Sequence, residues 1–184
     1  MPIDPASLEA LPRSCGVYLF KSKGALPIYI GKSVDIRSRV LAHLRASDEA
    51  EMMTQTTHVE FIETAGEIGA LLLESHLIKQ MSPLFNIRLR RVRNLCSIQL
   101  TQAADGLQAF VATGKDLGIG EADDLYGLFG SVRAAQNKLR ELADPNRLCL
   151  GLLGLEKIGP RGCFGLQVKT CLGACVGREN RAAH

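Results

Sequence analysis

The chain has 184 residues, 46% of them hydrophobic, and a formal net charge of +3 from 22 Lys and Arg against 19 Asp and Glu. That is enough for one large or two small domains with a real core, and no apolar run reaches the ~18 residues of a membrane span. So small a net charge does not by itself suggest nucleic acid, but its distribution is blocky. Lys21 to Arg45 holds six basic residues and one acid, Ala46 to Ile78 holds seven acids and no Lys or Arg, and Lys79 to Asn94 holds five basic residues and no acid. Such blocks are most often solvated faces, and two basic blocks flanking one candidate site glutamate, Glu74, also suit a phosphate backbone.

The opening MPIDPASLEALP lacks a basic stretch followed by an apolar one, so no signal peptide is expected and the protein is read as cytoplasmic. Asp4 or Ser7 is expected to cap a short helix ended at Pro12. Cys15 to Phe20 (CGVYLF) and Ile28 to Gly31 (IYIG) read as strands, joined by the polar, Gly- and Pro-containing KSKGALP as a hairpin. Side chains alternate along a strand. Cys15, Val17 and Leu19 then share one face and Tyr18 takes the other; Ile28 and Ile30 share a face and Tyr29 takes the other. Pairing the apolar faces puts both phenols on one side, beside Lys32. Ser33 is the expected N-cap of a helix through VDIRSRVLAHLR. Ile36, Val40, Leu41 and Leu44 form its apolar stripe, and Arg39 and His43, four apart, share a different face.

ASDEAEMMTQTTH reads as a polar turn or short helix, and His58 to Thr64 as a third strand. A helix over Gly66 to Gln80 is ended by Ser82-Pro83. Its apolar residues Ile68, Leu71, Leu72, Leu73, Leu77 and Ile78 cover most of its circumference. Glu74 sits among them. Either it lies on a narrow exposed stripe, or it is buried and needs a cation, a hydrogen-bond partner or a raised pKa. Asn86, in PLFNIRL, reads as a turn residue on its own.

A boundary near Arg93 to Leu95 divides the chain into 1–94 and 95–184. Cys96 to Leu100 and Leu107 to Thr113 read as two strands joined at Ala104-Asp105-Gly106. A loop with several acids leads to YGLFGS, and Ser131 caps a helix ended by Asp144-Pro145. The expected class is α+β: a small, mainly antiparallel three-stranded sheet flanked by helices, then a small α/β segment, then an irregular Cys-rich region (149–177) stapled by metal. In that region seven glycines and four cysteines leave little apolar core, so a staple is needed. Cys149, Cys163, Cys171 and Cys175 give C-x13-C-x7-C-x3-C. In a reducing compartment six cysteines point to metal or free thiols rather than disulfides. Zinc is the default for four thiolates and a [4Fe–4S] cluster the alternative. Cys15 and Cys96 fall in apolar strands and read as structural.

GVY, ten residues, then YIGKS, then Arg39 on the next helix resembles the GIY-YIG nuclease domain. LLLESHLIK and PLFNIRLRR resemble that family's glutamate helix and asparagine. Within the family the similarity is strongest to the N-terminal half of UvrC and to its homologue Cho, and it covers nearly the whole chain. The resemblance implies a metal-dependent endonuclease of nucleotide excision repair. Its site residues would be Tyr18, Tyr29, Lys32, Arg39, His43, Glu74 and Asn86. Tyr18 or Tyr29 would be the general base, its pKa lowered by Lys32 or Arg39. Arg39 would also stabilise charge on the phosphate. Glu74 would hold one Mg²⁺ or Mn²⁺ acting as Lewis acid, and weakly without DNA, because a single carboxylate is a thin site. His43 would bond a tyrosine or the phosphate, and Asn86 would hold a phosphate or orient a neighbour. Lys32, Arg37, Arg88, Arg90, Arg91 and Arg93 would contact DNA. The cysteine region resembles that of UvrC and Cho, which favours [4Fe–4S] over Zn²⁺, in a structural or DNA-sensing role.

The implied partners are double-stranded damaged DNA and the UvrB complex loaded by UvrA, with no membrane. A UvrC-type chain also carries a second nuclease half and a helix-hairpin-helix tail, absent from this sequence, so the expectation is limited to one nick 3′ to a lesion. Competing readings are a GIY-YIG nuclease acting on branched or specific-sequence DNA, and an inactive metal-stapled DNA-binding adaptor.

Overall fold

The computed structural model describes residues 3–24, 26–87, 95–103, 106–116 and 124–180. It divides into two compact units, one of Met1–Leu95 with Thr113–Asp123, the other of Cys96–Ala112 with Asp124–His184. The elements mix helices with two three-stranded sheets, as the α+β expectation requires.

In the first unit α1 (Pro5–Glu9) is capped by Asp4, whose carboxylate accepts from Ala6 N. The sheet follows: β1 (Gly16–Lys21), β2 (Pro27–Ser33) and, after two helices, β3 (His58–Glu63). Its order is β2-β1-β3 with both pairings antiparallel. β1 is central, and both of its faces are buried. Tyr18 and Phe20, with Val59 of β3, pack on Leu11, Ile36, Val40 and Met52. Val17, Leu19 and Ile30 pack on Ala70, Leu77 and Ile78. Helices α2 (Ile36–His43) and α3 (Ala50–Gln55) thus cover one side and α4 (Glu67–Met81) the other. Ile28 does not share a face with Ile30, as strict alternation predicts. The register shifts between Phe20 and Lys21, so that Lys21 opposes Pro27 while Phe20 opposes Tyr29. Ile28 is the extra residue of a bulge and joins the Tyr18 side of the core.

The N-cap of α2 is Asp35, not Ser33. Asp35 accepts from Ser38 N at 2.8 Å and from Ser38 Oγ at 2.8 Å. Asp and Ser cap about equally well; here the chain leaves β2 so that Asp35 meets the first turn, and Ser33 Oγ instead accepts from Asp35 N at 3.1 Å. The α4 helix ends at Ser82 in the left-handed region (φ 48°), just before Pro83.

In the second unit β4 (Cys96–Ala103) lies between β5 (Gly106–Thr113) and β6 (Leu125–Phe129). The sequence assigns no element to the YGLFGS stretch that β6 occupies. It is short and mostly exposed, and its antiparallel pairing with β4 is broken by a register shift. α5 (Val132–Asn146) is capped by Ser131 and places Ala135 and Leu139 against Cys96 and Ile98. It runs through Pro145 rather than stopping before it, and closes at Arg147 with φ 53°. The rest is turns around the cysteines, with one short helix, α6 (Phe164–Gln167).

Candidate active site and metal centre

Cross-strand partners share a sheet face. Tyr18 opposes Gly31 and Phe20 opposes Tyr29, so both phenols lie on the α2 side, with ring centroids 6.2 Å apart. The Tyr18 ring lies across Gly31. A Cβ there would sit 2.4 Å from Tyr18 Oη and 2.5 Å from Cζ, so only glycine leaves room for the phenol.

One turn beyond Arg39, at the end of α2, His43 reaches the same pocket. Its Nε2 is 2.6 Å from Tyr18 Oη, and its Nδ1 bonds the carboxylate of Glu49. Tyr18 and His43 are each 1% exposed. Burial pushes the Tyr18 phenol well above its ordinary value; neighbouring Tyr29 adds to the rise and the Arg39 guanidinium partly offsets it. Tyr29 is also raised by burial, less so because Tyr18 favours its ionised form. Arg39 pulls both phenols down, as expected of a neighbouring cation, but desolvation outweighs it and both stand raised. Burial lowers His43, against a partial upward pull from Glu49.

Lys32 sits elsewhere than expected. It opposes Val17, which puts its side chain on the face away from the phenols, and its ammonium pairs with Glu67 of α4. Its backbone N–H donates to Glu74 Oε1 at 3.1 Å. Glu74 falls on the helix row Ala70-Glu74-Ile78, whose other two members are fully buried, so it faces the sheet rather than an outer stripe. Burial raises its pKa, while the Lys32 N–H and charge pull it down. It is close enough to Tyr29 to act on that phenol electrostatically.

Asn86 is 4% exposed and clamps the free edge of β2. Its Oδ1 accepts from Ile30 N and its Nδ2 donates to Ile30 O, both at 2.8 Å. These two bonds tie the amide to the strand flanked by Tyr29 and Gly31, an arrangement suited to orienting a neighbour, the second of the two roles expected for it. The Arg37 guanidinium donates to the carbonyls of Glu9, at 3.2 Å, and Leu11, at 3.5 Å, closing the end of α1 instead of standing free for DNA. Arg88, Arg90, Arg91 and Arg93 lie outside the described residues. The geometry adds Glu49 and Gly31 to the residues singled out from sequence. No sequence signal separates Glu49 from the other acids of its polar run.

The four cysteines of the second unit converge. All four Sγ atoms lie within 4.8 Å of one another, and Cys149, Cys163 and Cys171 are buried. Backbone N–H groups of Leu166 and Gly173 point at the sulfurs of Cys163 and Cys171, at 3.3 and 3.2 Å. Such donors suit thiolates. Burial raises the Cys149 and Cys171 thiols and holds Cys163 at about 11; Cys175 is pulled down, its own burial outweighed by the Cys163 backbone and the neighbouring thiols. Four thiols this close, three of them buried, call for a metal charge to displace their protons. Tetrahedral Zn–S bonds of ~2.3 Å imply sulfurs ~3.8 Å apart. A cubane sits between its cysteine sulfurs with four irons and four sulfides, and holds them farther apart. Among the described residues this is the one grouping of three or more potential metal-ligating side chains, so Glu74 offers a divalent ion a single carboxylate.

The model of the UvrC-like GIY-YIG domain matches residues 14–87, and that of the UvrC/Cho excinuclease middle domain matches residues 95–184. The chain belongs to the UvrC/Cho family. It is 50% identical over 179 residues to excinuclease cho of Escherichia coli K12, covering 96% of this chain and 59% of that protein. It is 36% identical over 173 residues to the UvrABC system protein C of Deinococcus radiodurans, covering 92% of this chain and 27% of that protein. The chain therefore spans about three fifths of the length of the cho relatives it matches. Among solved structures it is similar to the GIY-YIG N-terminal endonuclease domain of UvrC from Thermotoga maritima, bound to its catalytic divalent cation, magnesium. The identity is 32% and the TM-score 0.41, covering 45% of this chain and 93% of that one. Among the described residues no helix is long and apolar enough to cross a membrane.

Proposed function

We propose that this UvrC/Cho-family chain is a DNA endonuclease that hydrolyses one phosphodiester bond on the 3′ side of a lesion, in DNA presented by UvrB after UvrA loading, in the cytoplasm. The observation that carries the reading is the convergence of Tyr18, Tyr29, His43 and Arg39 on one side of Gly31, with Glu74 anchored to the next residue's N–H.

Hydrolysis needs a water aligned with the scissile bond, a base, and positive charge on the phosphoryl oxygens. Tyr18 has a bonded acceptor for its own proton in His43 and a guanidinium beside its oxygen. Arg39, exposed on α2, is placed to meet a phosphate as well. Glu74 would hold Mg²⁺ or Mn²⁺, which supplies Lewis acidity to the phosphate and the leaving oxygen. Mg²⁺ commonly keeps several waters and borrows phosphate oxygens, which suits a lone carboxylate. Asn86 and Gly31 keep β2 and the phenols in register. The remaining DNA contacts are assigned to the basic residues around the site, including Lys32, Arg37, Arg88, Arg90, Arg91 and Arg93; Lys32 and Arg37 would first have to leave Glu67 and the α1 carbonyls.

The four cysteines would hold a structural metal centre. The family resemblance favours [4Fe–4S], whereas the close sulfur separation favours a single tetrahedral ion such as Zn²⁺. Metal content of the purified protein decides: iron with sulfide and a broad visible absorption supports the cluster, and one zinc without colour removes it.

The activity is tested on an end-labelled duplex carrying one bulky lesion, with Mg²⁺, with and without UvrA and UvrB, for wild type and Glu74→Gln. One wild-type nick 3′ to the lesion that needs the loaders and is lost in Glu74→Gln, with DNA still bound, is the expected result. Cutting of undamaged or branched DNA without loaders would keep the nuclease and remove the repair assignment. Binding without any cutting would make the protein an adaptor.

A further inference from the structure

We propose that Glu49 is a positioning residue of the candidate site: its carboxylate holds the His43 proton on Nδ1, so that Nε2 is free to take the Tyr18 proton as Tyr18 takes one from the attacking water. This rests on the nuclease reading above and adds a residue to it.

The argument is geometric. Glu49 ends the 3-10 turn Ser47–Glu49, directly before α3. That turn brings it back onto the imidazole six residues earlier, where its carboxylate is hydrogen-bonded to Nδ1. A carboxylate only accepts hydrogen bonds when ionised. The nitrogen facing it must therefore carry the proton, which leaves the Nε2 lone pair pointing at Tyr18 Oη, 2.6 Å away. The O–H of Tyr18 then donates to Nε2 and its lone pairs remain for other partners. In the other tautomer Nε2–H would donate to Tyr18 Oη, and the phenol would lose its proton acceptor on His43. The third member of such a chain sets the tautomer without reacting.

The protons balance. A water O–H bond breaks and its proton goes to Tyr18 Oη as the Tyr18 O–H bond breaks and that proton goes to Nε2. The water oxygen's electron pair forms the O–P bond, and the leaving oxygen departs with its bonding pair and takes a proton from solvent. His43 becomes an imidazolium in a buried pocket. The charged and titratable groups facing it are Tyr18 from β1, Tyr29 from β2, Arg39 from its own helix and Glu49 from the turn. Arg39 opposes a second positive charge there, and Glu49 is the group that favours it. The carboxylate thus acts twice, on the tautomer before the step and on the charge after it.

The test uses the full 184-residue chain as wild type, Glu49→Gln and Glu49→Asp. Two quantities are read: the nicking rate on the lesion duplex, and the ring ¹⁵N shifts of His43, which report the tautomer without DNA. An amide can turn its NH₂ toward Nδ1 and stabilise the wrong tautomer. The expected result for Glu49→Gln is a His43 protonated on Nε2 and nicking slowed by about 10²-fold, within the range of acid–base contributions, with DNA affinity and melting temperature retained. Glu49→Asp should keep the Nδ1–H tautomer and recover most of the rate. Wild-type nicking by Glu49→Gln, or a His43 that keeps its proton on Nδ1 in that variant, overturns the proposal and leaves the nuclease reading standing. A wild-type chain that nicks no duplex overturns both.

Discussion

Asn86 offers the sharpest separation between a residue that touches DNA and one that holds the fold around it. Its amide satisfies both the N–H and the C=O of Ile30, each at 2.8 Å, on the outer edge of β2. Ile30 is fully buried and Asn86 nearly so. Asn86→Ala therefore strands one buried donor and one buried acceptor, at ~1–3 kcal/mol each, or about 2–6 kcal/mol together. Against a typical domain stability of ~5–15 kcal/mol, that is enough to fray β2 or unfold the unit. Asn86→Asp separates the two halves of the clamp. The carboxylate can still accept from Ile30 N, but its second oxygen faces the Ile30 carbonyl and can donate only when protonated. The folded state therefore raises this Asp above its usual ~3.9. A raised folded pKa means stability present below the unfolded value and lost as pH rises through the folded value. Asn86→Asp should accordingly be less impaired at acid pH and approach the Ala variant at neutral pH. The assay is hydrogen exchange at the Ile30 amide, with urea titrations at both pH values. Both variants should also slow nicking in proportion to lost order at Tyr29 and Gly31. Retained Ile30 protection and a stability within ~0.5 kcal/mol of wild type, alongside weakened DNA binding, would refute the clamp and restore the phosphate-holding role.

Gly31→Ala places a methyl 2.4 Å from Tyr18 Oη. A buried, hydrogen-bonded ring cannot give way cheaply, so a cost of ~1–3 kcal/mol should appear in thermal unfolding together with a loss of nicking; an unchanged melting temperature would mean that the ring does not lie over Gly31. His43 is lowered by burial, so the unfolded chain binds its proton first, and this residue's stabilisation is present above the unfolded value of ~6.5 and lost as pH falls below it. The stability difference between wild type and His43→Gln should shrink over that window, and a difference independent of pH would show that His43 is not held neutral.

Much of the fold was legible because its signals are local. Two tyrosine-bearing strands around a Gly- and Pro-containing turn, the Ile36 and Val40 part of the expected α2 stripe (Leu44 lies past the helix and is exposed) and the left-handed stop of α4 before Pro83 each depend on a few neighbouring residues. Ser131 as a cap is of the same kind. The failures share a cause as well. Ile28 left its expected face because one bulge residue inverts the alternation, and β6 has too little apolar burial to show a period. Asp35 displaced Ser33 as cap because two plausible acceptors stood two residues apart, and only the path out of β2 decides between them. The cysteines were legible as a set, since their spacing needed no strand register; the distance between their sulfurs, which bears on the metal, was not.

The site was legible in its residue types and not in its wiring. Reading both phenols onto one face was correct, yet placing Lys32 beside them ignored the same alternation: one step past Gly31 it must point to the other side, where it meets Glu67 and α4. That step also explains how groups on opposite faces of one sheet serve a single site. β2 is an edge strand, and Gly31 contributes no side chain to either face. Tyr18 lies over it from the α2 side, while Glu74, from the α4 side, binds the N–H of the next residue. A larger residue at position 31 would displace the phenol, and a strand laid against the free edge of β2 would take the place of Asn86. The bare backbone at Gly31 of β2 is therefore what lets phenol, guanidinium and carboxylate approach one another, and the asparagine beyond α4 is what keeps that edge in place.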